Sequence, residues 1–210
     1  MIQVLAVDDH SFTRSGIRQV LGREADFAPM DEAADDPEAL QRIAQGGYDV
    51  VVLDLGLPGR SGLETLMEIR RSYPALPVLI LTAYAEKQFA LRALKAGANG
   101  YLTKTSSPGL LVHAIRQVAS GGRYIGPEIA EMLAAALSGG SIDAPHEALS
   151  DREFEVMRAI ASGKTVSDIA RDLSLSVKTI STYRARALEK MSMRNNAEFT
   201  HYAIKSGLVD

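Results

Sequence analysis

Five times between residues 1 and 120 an apolar run of strand length gives way to a helical pattern, and this alternation constrains the fold more than any other feature. Strands are expected at 2–7, 27–32, 50–53, 77–81 and 99–102, with helices at 11–21, 36–45, 61–72, 86–96 and 108–120. Alternating strands and helices imply right-handed crossovers and a parallel sheet covered on both faces. The Val50-Val51-Val52-Leu53 run fits that reading, because a strand buried on both sides needs no polar alternation. Pro29 interrupts the 27–32 segment and places it at an edge. The fold class expected is therefore α/β, a doubly wound, five-stranded parallel sheet.

For five strands the common order is 2-1-3-4-5, which sets the ends of the first and third strands side by side at the switch point. The residues just past the strand ends then share one edge: Asp8 and Asp9, Asp54, Thr82, and Lys104. Three carboxylates that close need a compensating charge. An oxygen-only cluster with no His or Cys suits Mg²⁺, which takes one or two carboxylates and keeps waters. A metal there leaves a carboxylate oxygen to attack phosphorus, with Thr82 and Lys104 placed to pair with phosphoryl oxygens. Each residue also has an ordinary reading: Asp9 as a helix cap, Thr82 as a turn residue, Lys104 as a surface lysine.

Asp8-Asp9, Asp54 with Leu57-Pro58-Gly59, Thr82-Ala83, Tyr101 and Lys104 make the first part of the chain resemble the receiver domain of bacterial response regulators. The resemblance implies a domain over 1–121 in which Asp54 accepts a phosphoryl group from a sensor histidine kinase. It implies Mg²⁺ bound by Asp9, Asp54 and the carbonyl of Gly56, with Asp8 acting through water. It assigns Thr82 and Tyr101 as a switch pair, the hydroxyl moving to the phosphoryl group and the ring turning inward. Lys104 is followed by Thr105 where many receivers have proline, which leaves a cis peptide there without its usual support.

Residues 122–148 read as a connector: an Ala-rich helix over 127–137, then a flexible Ser138-Gly139-Gly140-Ser141 linker. Beyond it the charge changes sign. Residues 1–148 carry 13 Lys+Arg against 18 Asp+Glu, whereas 149–210 carry 10 against 8. Within 174–194, Lys178, Arg184, Arg186, Lys190 and Arg194 face only Glu189, so a polyanion is one partner this face can take and bulk solvent the other. Ser150 with Glu153, and Thr165 with Asp168, form capping boxes that start two helices. Ser176 caps a third, from Val177 to Met191, and Ala197–Ser206 makes a fourth. Gly163-Lys164-Thr165 has the tail of a phosphate-binding loop but lacks its upstream glycine and lies between helices, so that reading is rejected.

Two helices joined by the turn Leu173–Ser176 make a helix-turn-helix. The segment 149–210 resembles the LuxR-type version, through Leu149-Ser150, Arg152-Glu153, Gly163-Lys164, Ile169-Ala170 and Leu175–Ile180. With the receiver this points to the NarL/FixJ class. The implied partner is double-stranded DNA with symmetric half-sites, read by a helix in the major groove. Ser181, Thr182 and Ala185 then lie near base edges, Thr179 beside them, and Lys178, Arg184 and Arg186 on phosphates. Ser181 and Ala185 replace long basic side chains common at those places. A homodimer formed on phosphorylation, using the first and last receiver helices (10–21 and 108–120), is the expected output.

The chain lacks cysteine, which removes disulfides, thiolate zinc sites and cysteine catalysis. Four histidines (10, 113, 146, 201) show no metal-ligand spacing. No signal peptide and no run of ~18 apolar residues is present, so a cytoplasmic protein without membrane contact is expected. Enzymatic turnover of an external substrate is not expected. A haloacid-dehalogenase-like phosphatase would need a second aspartate two positions after Asp54, where Gly56 stands. A phosphorylation-independent DNA binder, with the receiver as a dimerisation module, is the remaining alternative.

Overall fold

The computed structural model describes residues 1–58, 61–83, 87–126, 129–130 and 144–209, and the chain divides into two units, Met1–Ser138 and Gly139–Asp210. The first carries β1 (Val4–Val7), α1 (Ser11–Leu21), β2 (Asp31–Ala33), α2 (Asp36–Gln45), β3 (Val50–Leu53), α3 (Gly62–Ser72), β4 (Val78–Thr82), α4 (Lys87–Lys95), β5 (Gly100–Thr103) and α5 (Pro108–Ala119). All strand pairs are parallel, in the order β2-β1-β3-β4-β5. The expected fold class and strand order are those observed. β2 lies later than the 27–32 segment, because the backbone at Phe27 makes only one isolated bridge, to Ile2, before Pro29 removes a donor.

Period-two burial explains the two-faced sheet. Val4, Ala6, Val50, Val52, Leu79 and Leu81 pack on one face with Ile17 and Leu21 of α1 and Leu111, Val112 and Ile115 of α5. The intervening Leu5, Val51, Leu53, Val78 and Ile80 are equally buried and serve the other face. Helix ends follow local chemistry. Asp35 and Ser107 cap α2 and α5, each followed by Pro in the first turn, and Ser61 with Glu64 forms a capping box on α3.

The chain leaving α5 returns to the sheet. Tyr124 bridges Gly100 in parallel, Tyr101 N–H donating to Tyr124 O at 3.2 Å and Tyr124 N–H to Asn99 O at 2.9 Å. A Cβ at Gly100 would come within 2.9 Å of that Tyr124 oxygen, so the approach needs glycine. The connector helix and glycine linker lie largely outside the described residues.

In the second unit a single 3₁₀ turn, Pro145–Ala148, precedes α6 (Asp151–Ala161), α7 (Val166–Asp172), α8 (Val177–Lys190) and α9 (Asn196–Lys205). Both capping boxes expected from the sequence are formed, at Ser150/Glu153 and Thr165/Asp168. Phe154, Val156, Met157, Ile180, Ala187, Phe199 and Ala203 make its core. Between α7 and α8 Ser174 takes a left-handed backbone, φ 52°, and folds the turn back.

Candidate functional site

β1 and β3 run side by side with Val7 opposite Leu53, so Asp8 and Asp54 emerge together at the carboxyl edge. Backbone bonds continue one residue past each strand. Asp8 N–H donates to Ala33 O at 3.1 Å, and Asp54 N–H to Val7 O at 2.9 Å. Asp8 and Asp54 are therefore buried, at 2% and 4% exposure, although each follows the strand proper. Burying two carboxylates at one place is costly unless a cation meets them.

Lys104 supplies that cation. It follows β5, its N–H bonded to Thr82 O at 2.8 Å, and its Nζ reaches Asp8 Oδ2 and Asp54 Oδ2, each at 2.7 Å. Burial pushes the Asp8 carboxyl up, the Lys104 hydrogen bond pulls it back, and the Asp54 charge pushes it up further; the net direction is up. Burial works against the Lys104 ammonium, but its hydrogen bonds to Asp54 and Asp8 prevail and hold its pKa above the usual lysine range.

Asp54 Oδ1 is buried and has no hydrogen-bond partner among the described residues. Asp8, Asp9, His10 and Asp54 each offer a ligand atom, all within 4.8 Å of one another. Three carboxylates and one ammonium leave a formal −2 at the pocket, a charge that suits a divalent cation. The donor set and the unpaired buried oxygen thus fit a hard metal ion. Histidine spacing gave no sign of His10, yet His10 N–H donates to Asp8 Oδ1 at 2.8 Å and its Nδ1 lies 2.7 Å from Asp9 Oδ1.

The loop after Asp54 is pinned by buried Leu55 and Leu57. Gly56 lies against the carboxylate: a Cβ there would stand 3.4 Å from Asp54 Oδ2. Gly62, which the sequence did not single out, opens α3 in close contact with the same loop. Its N–H bonds Leu55 O at 3.1 Å, and a Cβ on it would fall 2.1 Å from Asp54 O. Thr82 is the last residue of β4 and fully buried. Tyr101 is 3% exposed, so its ring lies inward. Among the described residues no peptide is cis, Lys104-Thr105 included.

On the second unit, Lys178, Thr179, Thr182, Tyr183 and Arg186 line an open depression of about 290 Å³ on α8. Ser181 and Ala185 are exposed on the same helix. Tyr183 went unnoticed in the sequence, although it stands four residues after Thr179 and so on the same face. Thr179 also serves the helix start, its N–H donating to Ser176 Oγ at 3.0 Å. Arg184 is turned elsewhere: its Nε donates to Asn196 Oδ1 at 2.6 Å, on the first turn of α9. Lys190 is likewise engaged, with Glu153 Oε2 at 2.7 Å. Burial works against the Glu153 carboxylate, but Lys190 and the Ser150 bonds prevail and hold its pKa below the usual range.

A five-stranded receiver fold with a clustered acidic edge, followed by a helix-turn-helix, defines a two-part signalling regulator. Residues 4–116 match the response regulator receiver domain, and residues 147–203 match the bacterial regulatory proteins of the luxR family. The chain belongs to the DNA-binding transcriptional response regulators, with a receiver joined to a LuxR-type domain. It is 37% identical to the response regulator UvrY of Escherichia coli K12, over 99% of this chain and 96% of that one. It is 39% identical to the response regulator GacA of Pseudomonas protegens, over 100% and 99% of the two. Among solved structures it resembles RcsB from Salmonella enterica serovar Typhimurium bound to promoter P1flhDC with the phosphomimetic BeF₃⁻. That match has a TM-score of 0.63 and 25% identity over 96% of this chain and 97% of that one. No helix among the described residues is long and apolar enough to cross a membrane.

Proposed function

We propose that a sensor histidine kinase phosphorylates this regulator on Asp54 and that the acyl phosphate controls its binding to DNA. The observation that carries the reading is Asp54 itself. It is a buried carboxylate with one oxygen held by Lys104 and the other unpaired, at the switch-point edge of a parallel sheet. Asp9, Asp54 and the carbonyl of Gly56 would hold Mg²⁺ directly, with Asp8 through water. Bound there, the ion would neutralise charge on the transferring phosphoryl group.

The chain's own groups do the rest. An Asp54 oxygen attacks phosphorus, the P–N bond to the donor imidazole breaks with its electron pair, and the imidazole takes up a proton. Lys104, already charged, moves its hydrogen bond from the carboxylate to a phosphoryl oxygen. The Thr82 hydroxyl donates to another, and Tyr101 packs behind it. The acyl phosphate carries about two negative charges where the carboxylate carried one, so phosphorylation makes the pocket about one charge more negative.

The output is a homodimer that places two α8 helices on symmetric half-sites. Support comes from the first unit's exposed apolar surface: Phe12 is 89% exposed and borders a depression of about 230 Å³ with Ile17, Val20, Pro108 and Leu111. Lys178 and Arg186 contact phosphates, while Thr179, Ser181, Thr182 and Ala185 meet base edges. Arg184 reaches DNA only by releasing Asn196. The protein works in the cytoplasm, beside its DNA, and turns over no external substrate.

Acetyl phosphate with Mg²⁺ tests this. Mass spectrometry should find the label on Asp54, absent in Asp54→Ala, with no phosphomonoester turnover and tighter promoter binding by the labelled chain. Labelling of Asp54→Ala to the wild-type level would remove the site assignment. Labelling without a change in DNA affinity would favour the phosphorylation-independent reading.

A further inference from the structure

The Asp8–Asp9–His10 turn is held from behind by a side chain outside the pocket. Arg14 stands one turn into α1, and helical side chains lean toward the helix N-terminus, so its guanidinium reaches back under the turn that α1 starts from. Its Nη1 donates to the backbone carbonyl of Asp8 at 2.5 Å. Its Nε donates to Glu32 Oε2 at 2.9 Å, and the side chain is 15% exposed. Glu32 sits in β2 opposite Ala6 and is itself fixed by Arg18 Nη2 at 2.5 Å. Asp8 N–H is meanwhile spent on Ala33 O. Both polar groups of the Asp8 backbone are thus fixed, one by the sheet and one by Arg14.

We infer that Arg14 is a positioning residue for the acidic pocket: by holding the Asp8 carbonyl, with Glu32 fixing its own fork, it orients the Asp8–Asp9 peptide so that both carboxylates face a bound divalent cation. Fixing this one peptide fixes the directions of two of the pocket's carboxylates. A planar guanidinium serves where two acceptors must be met at set angles, which a lysine ammonium does not reproduce. Groups behind a ligand set commonly change metal affinity 10- to 100-fold when lost. The inference rests on the reading of the pocket as a Mg²⁺ site.

The sign of the effect separates positioning from simple charge. Arg14 is a cation near a cation site, so on Coulomb's law alone its removal tightens Mg²⁺ binding. Positioning demands the reverse. The experiment is Mg²⁺ titration of the full chain by calorimetry, with amide shifts of residues 8–10 as a second readout. Arg14→Met, which keeps the apolar stem, should bind Mg²⁺ about 10- to 100-fold more weakly. Arg18→Met, which loses a Glu32 partner but no contact to Asp8, should bind as the wild type does. Arg14→Lys, with charge retained, should lose about tenfold, and it carries the test should Arg14→Met fail to fold. Equal or tighter binding by folded Arg14→Met, wild-type affinity in Arg14→Lys, or an equal loss in Arg18→Met would each overturn the inference. Absence of Mg²⁺ binding by the wild-type chain would instead remove the reading of the pocket on which it stands.

Discussion

Lys104→Met replaces the one ammonium that two buried carboxylates share, and the consequence can be worked out from the pocket. Ligand oxygens of Asp8 and Asp54 lie within 4.8 Å of each other. At an effective dielectric near 20, two unit charges at that separation repel by about 3.5 kcal/mol. Removing one partner from a buried ion pair costs about 3–5 kcal/mol by experience with other proteins, so the two routes agree. A ceiling exists, because the pair can take up a proton instead. From an ordinary aspartate pKa of 3.8 to about pH 7.5, that costs roughly 5 kcal/mol.

The expected loss for the first unit is therefore about 3–4 kcal/mol near pH 7.5 without metal, a fall in Tm of roughly 10 °C. The sign with pH follows from Asp8, whose folded pKa is already raised. A raised carboxyl binds its proton more tightly folded than unfolded, so stability falls as pH rises from 3.8 through the folded value. Without Lys104 that window widens upward, and acidification should return most of the lost stability. Saturating Mg²⁺ should do the same by binding only the folded pocket. Circular dichroism melts of the full chain across pH, with and without Mg²⁺, measure this. An unchanged Tm, or a deficit equal at every pH and indifferent to Mg²⁺, would refute the shared-ammonium account.

Gly62→Ala should destabilise the first unit by about 1–3 kcal/mol and slow labelling of Asp54, because a methyl cannot occupy space 2.1 Å from Asp54 O without moving the loop. Chemical denaturation and acetyl phosphate kinetics check both. On the second unit, Lys178→Ala should weaken binding to all DNA sequences and lower the salt slope by about 1. Arg184→Ala should change that slope less and thermal stability more, since its guanidinium holds Asn196 at the start of α9; an equal slope change in both would contradict the difference drawn between them.

Much of this was legible before any coordinates. A run such as Val50–Leu53 permits few environments, and Gly or Pro within two residues of the end of each receiver helix (Gly22, Gly46, Pro74, Gly97, Gly121) leaves little freedom in where it stops. Alternation then implied the strand order, and the order brought Asp8, Asp54 and Lys104 together. Capping boxes were equally readable, because they bind residues three apart. His10 and Arg14 were not. Their roles come from pairing with Asp9, the Asp8 carbonyl and Glu32, and no local pattern marks a side chain that leans back from a helix onto another strand. Gly62 escaped for a similar reason, since close approach of backbone to backbone leaves no signature beyond a glycine. Arg184 shows the converse: charge on a helix face suggested DNA, and only the neighbouring helix reveals Asn196 as its partner.

The return of Tyr124 to Gly100 bears on how the first unit meets other molecules. A parallel sheet ends in two open rims, and an open rim invites a foreign chain to zip on as an extra strand. Here the β5 rim is partly closed by the protein's own backbone, and the opposite rim is a strand of only three residues carrying Asp31 and Glu32. Among the described residues neither side offers a long apolar template. Both rims thereby disfavour the edge-to-edge growth that leads to aggregates.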